Sequence, residues 1–422
     1  MGVRLPFHYG WVIVVAGTLT VFACIGLGRF ALGMLLPSMG TALDLSYAQM
    51  GIISTGYFVG YLVAVMAAGT LDRRFGARRT IAAALAVVGG SMILVGRADS
   101  FAGALALYVL TGAGSAAANV PAMALVSRWF HRRRRGSAAG YMVMGNGFAI
   151  VFAGYAIPAI NTAAGAAEGW RLGWAALGAT VLTVAAICAL IVRDRPAEVG
   201  AEPHGDEPSP AADTTNATNP PAMPDPPAAK PAPSSRGIVA HLGIVYALFG
   251  ATYVIYATFI VTTLVDERGF SEATAGQFWA WVGVLSLVSG PLFGTLSDRL
   301  GRRAGLIMVF ALQMCAYAVV AAPLPDAFLY LSIALFGVSA WSIPSIMAAA
   351  VGDYLGPERA ATSFATVTLI FSVGQLIGPA AAGAAAEAAG GFWISYVMAA
   401  TLAAAAIVAT AFLRPPTAGT VG

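Results

Sequence analysis

Arg29 carries the clearest chemical signal in this sequence of 422 residues. It follows Gly28 in a long apolar run, where a charged side chain costs on the order of 3 kcal/mol or more once the run enters a membrane. A guanidinium stays ionised and can bind a carboxylate through two parallel hydrogen bonds. We therefore predict that Arg29 binds an anion. The alternative is a structural arginine that caps a broken helix or extends outward to the membrane surface.

No fixed counter-charge for Arg29 is visible in the sequence, because no Asp or Glu occupies the middle of an apolar run. Backbone carbonyls, hydroxyl groups, water and a bound anion remain as its partners. Acidic residues do stand where the apolar runs end, and Asp266 and Glu267 form such a pair. If the protein moves protons, we predict that they travel on the carboxylate of a bound anion or on this pair.

Six further polar or aromatic residues lie at mid-depth in the apolar runs. An amide side chain can both donate and accept hydrogen bonds, so it can bind the polar groups of a ligand. The alternative for each amide is a hydrogen bond between helices, worth about 0.6 kcal/mol, and for each aromatic ring it is packing. The predicted binding residues beside Arg29 are Asn119, Asn146, Tyr253, Tyr256, Trp341 and Gln375.

Composition excludes several classes of protein. The chain is 59% apolar and only 10% charged, whereas soluble domains carry about 25% charged residues. The net charge of +4 is small and scattered, which argues against a nucleic-acid partner. The three cysteines and four histidines stand far apart and no catalytic motif is present, so we expect no metal, no cofactor and no enzyme activity.

The elements that must position these residues are membrane helices. A membrane-spanning helix needs about 20 apolar residues, and lipid leaves only helices or closed barrels as spanning structures. The alternating pattern of barrel strands is absent, so we predict an all-α membrane protein. The twelve predicted spans are 10–36, 47–69, 80–98, 101–127, 137–160, 171–193, 238–264, 273–296, 304–322, 327–350, 360–383 and 391–413.

The basic residues predict the orientation of these spans. If both termini are cytoplasmic, all but four of the 23 Arg and Lys residues fall on the cytoplasmic side or beside it. The basic residues therefore predict cytoplasmic termini. We expect the membrane to be a bacterial inner membrane. We expect the run 132–135, which is four arginines, to contact anionic lipids.

The chain divides into two similar halves. Residues 194–236 hold 11 of the 23 prolines, which predicts a flexible cytoplasmic linker between a bundle of residues 1–193 and a bundle of residues 237–422. One constant shift along the chain, which we call the half-chain shift, aligns Gly51 with Gly276 and Gly112 with Gly337. One register maintained over about 60 residues predicts two equivalent six-helix domains with a site between them.

The half-chain shift also aligns two copies of a loop motif. Residues 294–303 read GTLSDRLGRR, and residues 69–79 read GTLDRRFGARR. The second copy fits the G-x-L-x-D-R-x-G-R-R pattern at every fixed position, and the chain therefore resembles the transporters of the major facilitator superfamily. The first copy has Arg73 in the acidic position and Asp72 one place early. The resemblance implies twelve helices in two pseudo-symmetric six-helix bundles, with alternating access to a central site.

Both loops are expected to act as gates on the cytoplasmic side. We predict that Asp298 accepts hydrogen bonds from Arg299 or Arg303, or from a neighbouring helix end, and so holds the halves together. The corresponding first-half residues are Asp72, Arg74 and Arg78. Two shorter stretches, 8–11 and 28–31, resemble the monocarboxylate and oxalate/formate carriers and the YbfB-like bacterial branch respectively.

The combined prediction is a secondary transporter that moves a small organic anion, most simply a carboxylate, by proton-linked symport or exchange. We expect it to work as a monomer. An efflux carrier for amphipathic drugs has the same fold, and its transport would be indifferent to Arg29. A membrane sensor or a membrane enzyme within a transporter-like shell is the alternative from another class.

Overall fold

A computed structural model describes residues 8–205 and 233–413, and twelve helices within them are long and apolar enough to cross a membrane. No other regular element of comparable length occurs in these ranges, so the prediction of an all-α protein with twelve spans is confirmed. The helices are α1 Gly10–Ala42, α2 Tyr47–Phe75, α3 Ala77–Val95, α4 Phe101–Trp129, α5 Arg134–Ala164, α6 Glu168–Ile191, α7 Arg236–Glu267, α8 Glu272–Leu300, α9 Arg302–Ala321, α10 Ala327–Leu355, α11 Glu358–Ala389 and α12 Trp393–Ala411.

Helix ends follow local chemistry rather than hydropathy alone. Ser46 caps α2 and Ser271 caps α8, each side chain accepting a hydrogen bond from the backbone N–H three residues later. Gly76 and Gly301, which the half-chain shift aligns, have φ values of +83° and +89° and turn the chain sharply into α3 and α9. Polar final turns extend α2 and α8 beyond the apolar spans that the sequence predicts.

The twelve helices pack as two groups of six. Within the first group α2 packs on α4 and α3 on α6, and within the second α7 packs on α11 and α9 on α12. Between the groups, α2 packs on α11, α5 on α8 and α1 on α7. We call α1–α6 the first half and α7–α12 the second half.

Glycines bring the two halves close together, and they do so symmetrically. Gly51 of α2 meets the Pro379 carbonyl of α11, and Gly276 of α8 meets the Gly154 carbonyl of α5. The half-chain shift aligns Gly51 with Gly276. Small residues let helix backbones approach closely in a membrane, so these two contacts form a matched seal between the halves.

The seal lies at one end of the bundle. We call the end at which α1 begins and α12 finishes the termini end, and the opposite end the far end. Hydrogen bonds join the halves at Arg29–Tyr253, Ala48–Glu387, Ser54–Thr258, Thr55–Leu376 and Asn161–Glu272. Every one lies near the middle of its helices or toward the far end, so the halves are closed together there.

The described parts of the linker have regular structure and packing contacts. Pro196–Val199 forms a short 3₁₀ helix, and His204 exchanges backbone hydrogen bonds of 2.8 and 3.0 Å with Trp129 and His131. The helix that contains α7 begins at Pro233, inside the predicted linker of residues 194–236. Residues 206–232 of that linker lie outside the described residues.

Candidate functional site

The site begins with an irregular turn in α1. Phe22–Phe30 is π-helical, which widens the helix and leaves the Cys24 carbonyl available to outside donors. The Tyr57 hydroxyl donates to this carbonyl at 3.1 Å and the Ser115 hydroxyl donates at 2.7 Å. Helices α2 and α4 therefore hold the irregular segment, and Arg29 stands near its end.

The Arg29 guanidinium lies between the halves and is enclosed by aromatic rings. Its central carbon is 4.7 Å from the ring centre of Phe30, 4.6 Å from that of Phe58 and 4.9 Å from that of Tyr253. One terminal nitrogen donates a hydrogen bond to the Tyr253 hydroxyl, across the boundary between the halves. Within residues 8–205 and 233–413, no carboxylate lies within ion-pair distance of Arg29. The rings attract the cation without neutralising it.

Two more predicted residues of the second half join this cluster. Gln375 of α11 donates through Nε2 to the same Tyr253 hydroxyl. The Trp341 ring lies edge-on to Tyr253 at 6.0 Å and to Phe30 at 5.3 Å between ring centres. Its buried Nε1–H finds no acceptor among the described residues. Arg29, Tyr253, Gln375 and Trp341 thus come together from four different helices.

A break in α10 places Trp341 at this position. The helical segments Ala327–Ser339 and Ser342–Leu355 flank the break. Ser289 of α8 satisfies the interrupted backbone, because its hydroxyl accepts from the Trp341 N–H at 3.1 Å and its carbonyl accepts from the Ser342 hydroxyl at 3.0 Å. Broken helices at membrane depth occur where the backbone is buried in protein or lines a cavity.

The other predicted binding residues occupy different surroundings. Asn119 donates to the Tyr61 hydroxyl at 2.9 Å, and Tyr61 lies one turn along α2 from Phe58, so this pair borders the site. Asn146 is buried, and its Oδ1 has no hydrogen-bond partner among the described residues. Tyr256 does not join the cluster, because its hydroxyl bonds Ser332 at 2.9 Å inside the second half.

The second-half loop motif pairs differently from the prediction. Asp298 accepts from Arg302 rather than from Arg299 or Arg303, and Arg302 also donates to Asp353 of α10 at 2.7 Å. The turn at Gly301 brings Arg302 back over the final turn of α8. These residues line a cavity of about 500 Å³ at the termini end that lies within the second half. Arg299 and Arg303 are exposed.

The first-half motif also pairs within its own half. Asp72 is buried and forms an ion pair with Arg128 of α4. Arg78 donates to the Ala189 carbonyl of α6 at 2.6 Å. Arg74 is exposed, with its guanidinium 5.3 Å from the ring centre of Phe75. In this state of the molecule the motif pairs therefore brace each half separately, and their role as gates stays a prediction.

Some residues of the site and the gates escaped sequence reasoning. Phe30 and Phe58 resemble ordinary core residues in the sequence, and no pattern distinguishes them. Arg128 and Asp353 could have been found, because the half-chain shift aligns them. The two positions carry opposite charges, and each pairs with the oppositely charged residue of its own loop. Asp72 therefore forms an ion pair with Arg128, although it stands one position before the acidic position of the motif.

Carboxylates stand at the far end, where the halves meet. Glu272 of α8 accepts from the Asn161 amide of α5 at 2.6 Å, and Glu387 of α11 accepts from the Ala48 N–H in the first turn of α2 at 2.9 Å. Asp266 and Glu267 are both exposed, and Glu267 accepts from the Phe392 N–H at 2.6 Å within the second half. Glu272 and Glu387 thus contribute to the closed contact between the halves.

The twelve helices, the two repeated halves and a polar cluster at their boundary agree with a family comparison. The model of the Major Facilitator Superfamily matches residues 18–365 and 242–421. The chain belongs to the major facilitator superfamily. This transporter is accordingly an integral membrane protein that carries a small molecule, and it is not an enzyme.

Relatives of the transporter include carriers named for organic anions. It is 22% identical over 414 residues to a probable sulfoacetate transporter of Cupriavidus necator, covering 92% of this chain and 90% of the relative. It is also 22% identical over 414 residues to a hexuronate transporter of Bacillus subtilis, covering 92% and 91%. Among solved structures, a bacterial homologue of the human lysosomal transporter Spinster has a TM-score of 0.73 at 18% identity, covering 95% of this chain and 96% of that one.

Proposed function

We propose that this transporter moves a small organic anion, most simply a carboxylate, and that Arg29 binds the negative charge. The observation that carries the proposal is the isolated guanidinium between the halves. It has one hydrogen bond to a neutral hydroxyl and no carboxylate partner in the described residues. A permanent cation in a low-dielectric site is costly until a counter-charge arrives, so binding an anion there is favourable.

The charge balance of the site favours one negative charge on the substrate. Arg29 is the only Arg or Lys in the central part of a described helix near the site, so it offers one positive charge. A monocarboxylate leaves the site neutral, whereas a dianion leaves one negative charge uncompensated. The names of the sulfoacetate and hexuronate relatives support an organic anion of some kind.

The described contacts support alternating access. With both termini in the cytoplasm, as the basic residues predict, the closed far end is extracellular and the structure is inward-facing. Residues 1–193 and 237–422 then rock against each other around Arg29, and the linker permits the motion. Symport with protons or exchange of anions would supply the driving force. We place the protein in a bacterial inner membrane as a monomer.

A thermal-shift measurement on the purified protein tests the anion assignment. The panel contains benzoate, D-galacturonate, sulfoacetate and the hydrophobic cation tetraphenylphosphonium. A ligand at one hundred times its Kd adds about 2.7 kcal/mol to the free energy of unfolding, which is a measurable rise in Tm. We expect at least one anion to stabilise the parent and to lose its effect in Arg29→Gln. Arg97→Gln, at an exposed loop position, is the matched control.

Two outcomes would overturn the assignment. Equal stabilisation of the parent and Arg29→Gln by every active anion would remove the binding role of Arg29. Stabilisation by tetraphenylphosphonium alone would favour the drug-efflux alternative. Uptake of the stabilising anion into proteoliposomes separates a transporter of that anion from a membrane sensor that only binds it.

A further inference from the structure

We propose that the Tyr253 hydroxyl oxygen stands in for a substrate carboxylate oxygen while the carrier is empty, and that the arriving anion displaces it from Arg29 and Gln375. This inference rests on the proposed function, because it assumes that an anion binds at Arg29. It assigns Tyr253 to a positioning role and Gln375 to a direct contact with the anion.

The hydrogen bonds of Tyr253 support the substitution. A phenol can donate one hydrogen bond and accept others, and here its oxygen accepts from two side chains at once. Arg29 donates from the first half and Gln375 donates from the second half. A carboxylate oxygen can likewise accept two donors that converge on it from the two halves. An anion that takes over both donors would bridge the two halves, as Tyr253 does now.

The aromatic enclosure makes Tyr253 and the anion competitors. Three rings lie within 5 Å of the central carbon of the guanidinium, and one terminal nitrogen donates to the Tyr253 hydroxyl. An anion cannot accept that same hydrogen bond unless the hydroxyl moves away. The Tyr253 ring is stacked on Phe249 at 4.7 Å and lies nearly parallel to Phe371, with 6.1 Å between ring centres. A displaced Tyr253 can therefore keep aromatic neighbours on α7 and α11.

Such a competitor has a consequence for the transport cycle. Without Tyr253, the empty carrier would have to change state with an unsatisfied guanidinium at its centre. A neutral oxygen that follows Arg29 lowers this cost, because an unpaired buried donor is expensive. Tyr253 should therefore weaken the binding of the anion and, at the same time, allow the unloaded carrier to return.

Four variants test the inference. Tyr253→Phe removes only the hydroxyl, and Gln375→Leu removes the amide at similar volume. Tyr256→Phe is the control, since its hydroxyl bonds only Ser332 within the second half among the described contacts. Arg29→Gln reports on the proposed function itself.

The first measurement needs no substrate. Phenylglyoxal modifies guanidinium groups, and mass spectrometry of the peptide that contains Arg29 gives the rate at that residue. We expect Tyr253→Phe to raise the rate at Arg29 several-fold and Tyr256→Phe to leave it unchanged. An equal rate in Tyr253→Phe and the parent would overturn the inference, because the hydroxyl would then not shield Arg29.

The second measurement is calorimetric binding of benzoate and D-galacturonate. We expect Tyr253→Phe to tighten the Kd about tenfold, the factor that corresponds to one charge-assisted hydrogen bond, and Gln375→Leu to weaken it. The opposite changes in Kd distinguish competition by Tyr253 from structural damage, because a merely structural role of Tyr253 would make both variants bind the anion more weakly. In proteoliposomes, Tyr253→Phe should slow net uptake and preserve exchange.

The outcomes separate the two proposals. If Arg29→Gln binds both anions as the parent does, the proposed function fails. If Arg29→Gln loses binding while Tyr253→Phe binds no more tightly than the parent, only the stand-in role of Tyr253 fails. If neither anion binds the parent, the rate of modification at Arg29 still decides whether Tyr253 shields it.

Discussion

Replacing Gly154 by alanine should force open the far end of the transporter. A Cβ atom at this position would lie 2.5 Å from the Gly276 carbonyl oxygen and 2.9 Å from the Ala280 nitrogen, both backbone atoms of α8. Real Cβ contacts are rarely closer than about 3.4 Å, so α5 and α8 must separate by roughly 1 Å. Overpacking of this kind costs about 1–3 kcal/mol in the closed state, whereas the better helix propensity of alanine is the same in the closed and open states and does not change their ratio.

This cost falls only on the state in which the far end is closed. A cost of about 1–3 kcal/mol changes the ratio of closed to open carriers by roughly 5–150-fold. Gly90→Ala is the matched control, because no atom lies within 4 Å of the Cβ that it adds to α3. The control gains the same helix propensity without touching the seal.

The rate at which a buried cysteine is labelled measures the change in the ratio of closed to open carriers. Ser54 is 5% exposed and bonds Thr258 across the seal at 3.0 Å, so Ser54→Cys should be protected while the far end is closed. The exposed Cys315 is first replaced by alanine, whereas Cys24 and Cys188 are buried. We expect a membrane-impermeant maleimide added at the far side to label the reporter faster with Gly154→Ala than with Gly90→Ala. Equal rates would refute the idea that close backbone contact controls closure.

Two further substitutions probe the ends of the bundle. Glu387→Gln weakens the cap that α11 supplies to the first turn of α2, at a cost of about 1 kcal/mol. This loss should raise the labelling rate of Ser54→Cys roughly fivefold. The control Glu358→Gln, at the termini end, should leave that rate unchanged. Arg128→Ala leaves Asp72 buried without its partner and should lower the stability by roughly 2 kcal/mol, a modest value because the arginine is 33% exposed. Arg74→Ala should leave the Tm unchanged, and an equal loss in both arginine variants would contradict this account.

Hydropathy was sufficient to predict the fold, because lipid imposes one solution on a backbone that it cannot solvate. The twelve spans and the repetition of the two halves follow from the sequence alone. The ends of the helices were less predictable, since Ser46 and Gly76 act through local hydrogen bonds and backbone angles rather than through apolar character. The extension of α2 to Phe75 is an example.

The binding cluster was only partly predictable, for geometric reasons. Tyr253 and Tyr256 are neighbours one turn apart on α7, and the sequence around both is apolar. A soluble helix would reveal its buried face by contrast with a polar one, but a membrane helix shows no such contrast. The structure directs Tyr253 to Arg29 and Tyr256 to Ser332. That distinction depends on how the two halves meet, which no local pattern encodes.

Arg302 was not among the arginines named as partners of Asp298, although the spacing favours it. Arg302 follows Asp298 by four residues, which places the two side chains on one face of an uninterrupted helix. The chain turns at Gly301 with φ of +89°, and Arg302 begins the next helix within reach of both Asp298 and Asp353. The contact with Asp353 depends on how α8, α9 and α10 pack, which the spacing within the motif does not encode.

The glycine seal separates motion from recognition. Its surfaces at Gly51 and Gly276 are main-chain atoms, which are the same in every protein and cannot distinguish one solute from another. Selectivity therefore has to reside below the seal, in the few side chains around Arg29. Evolution could therefore replace those side chains and change the substrate while the backbone contacts that close the far end stayed the same.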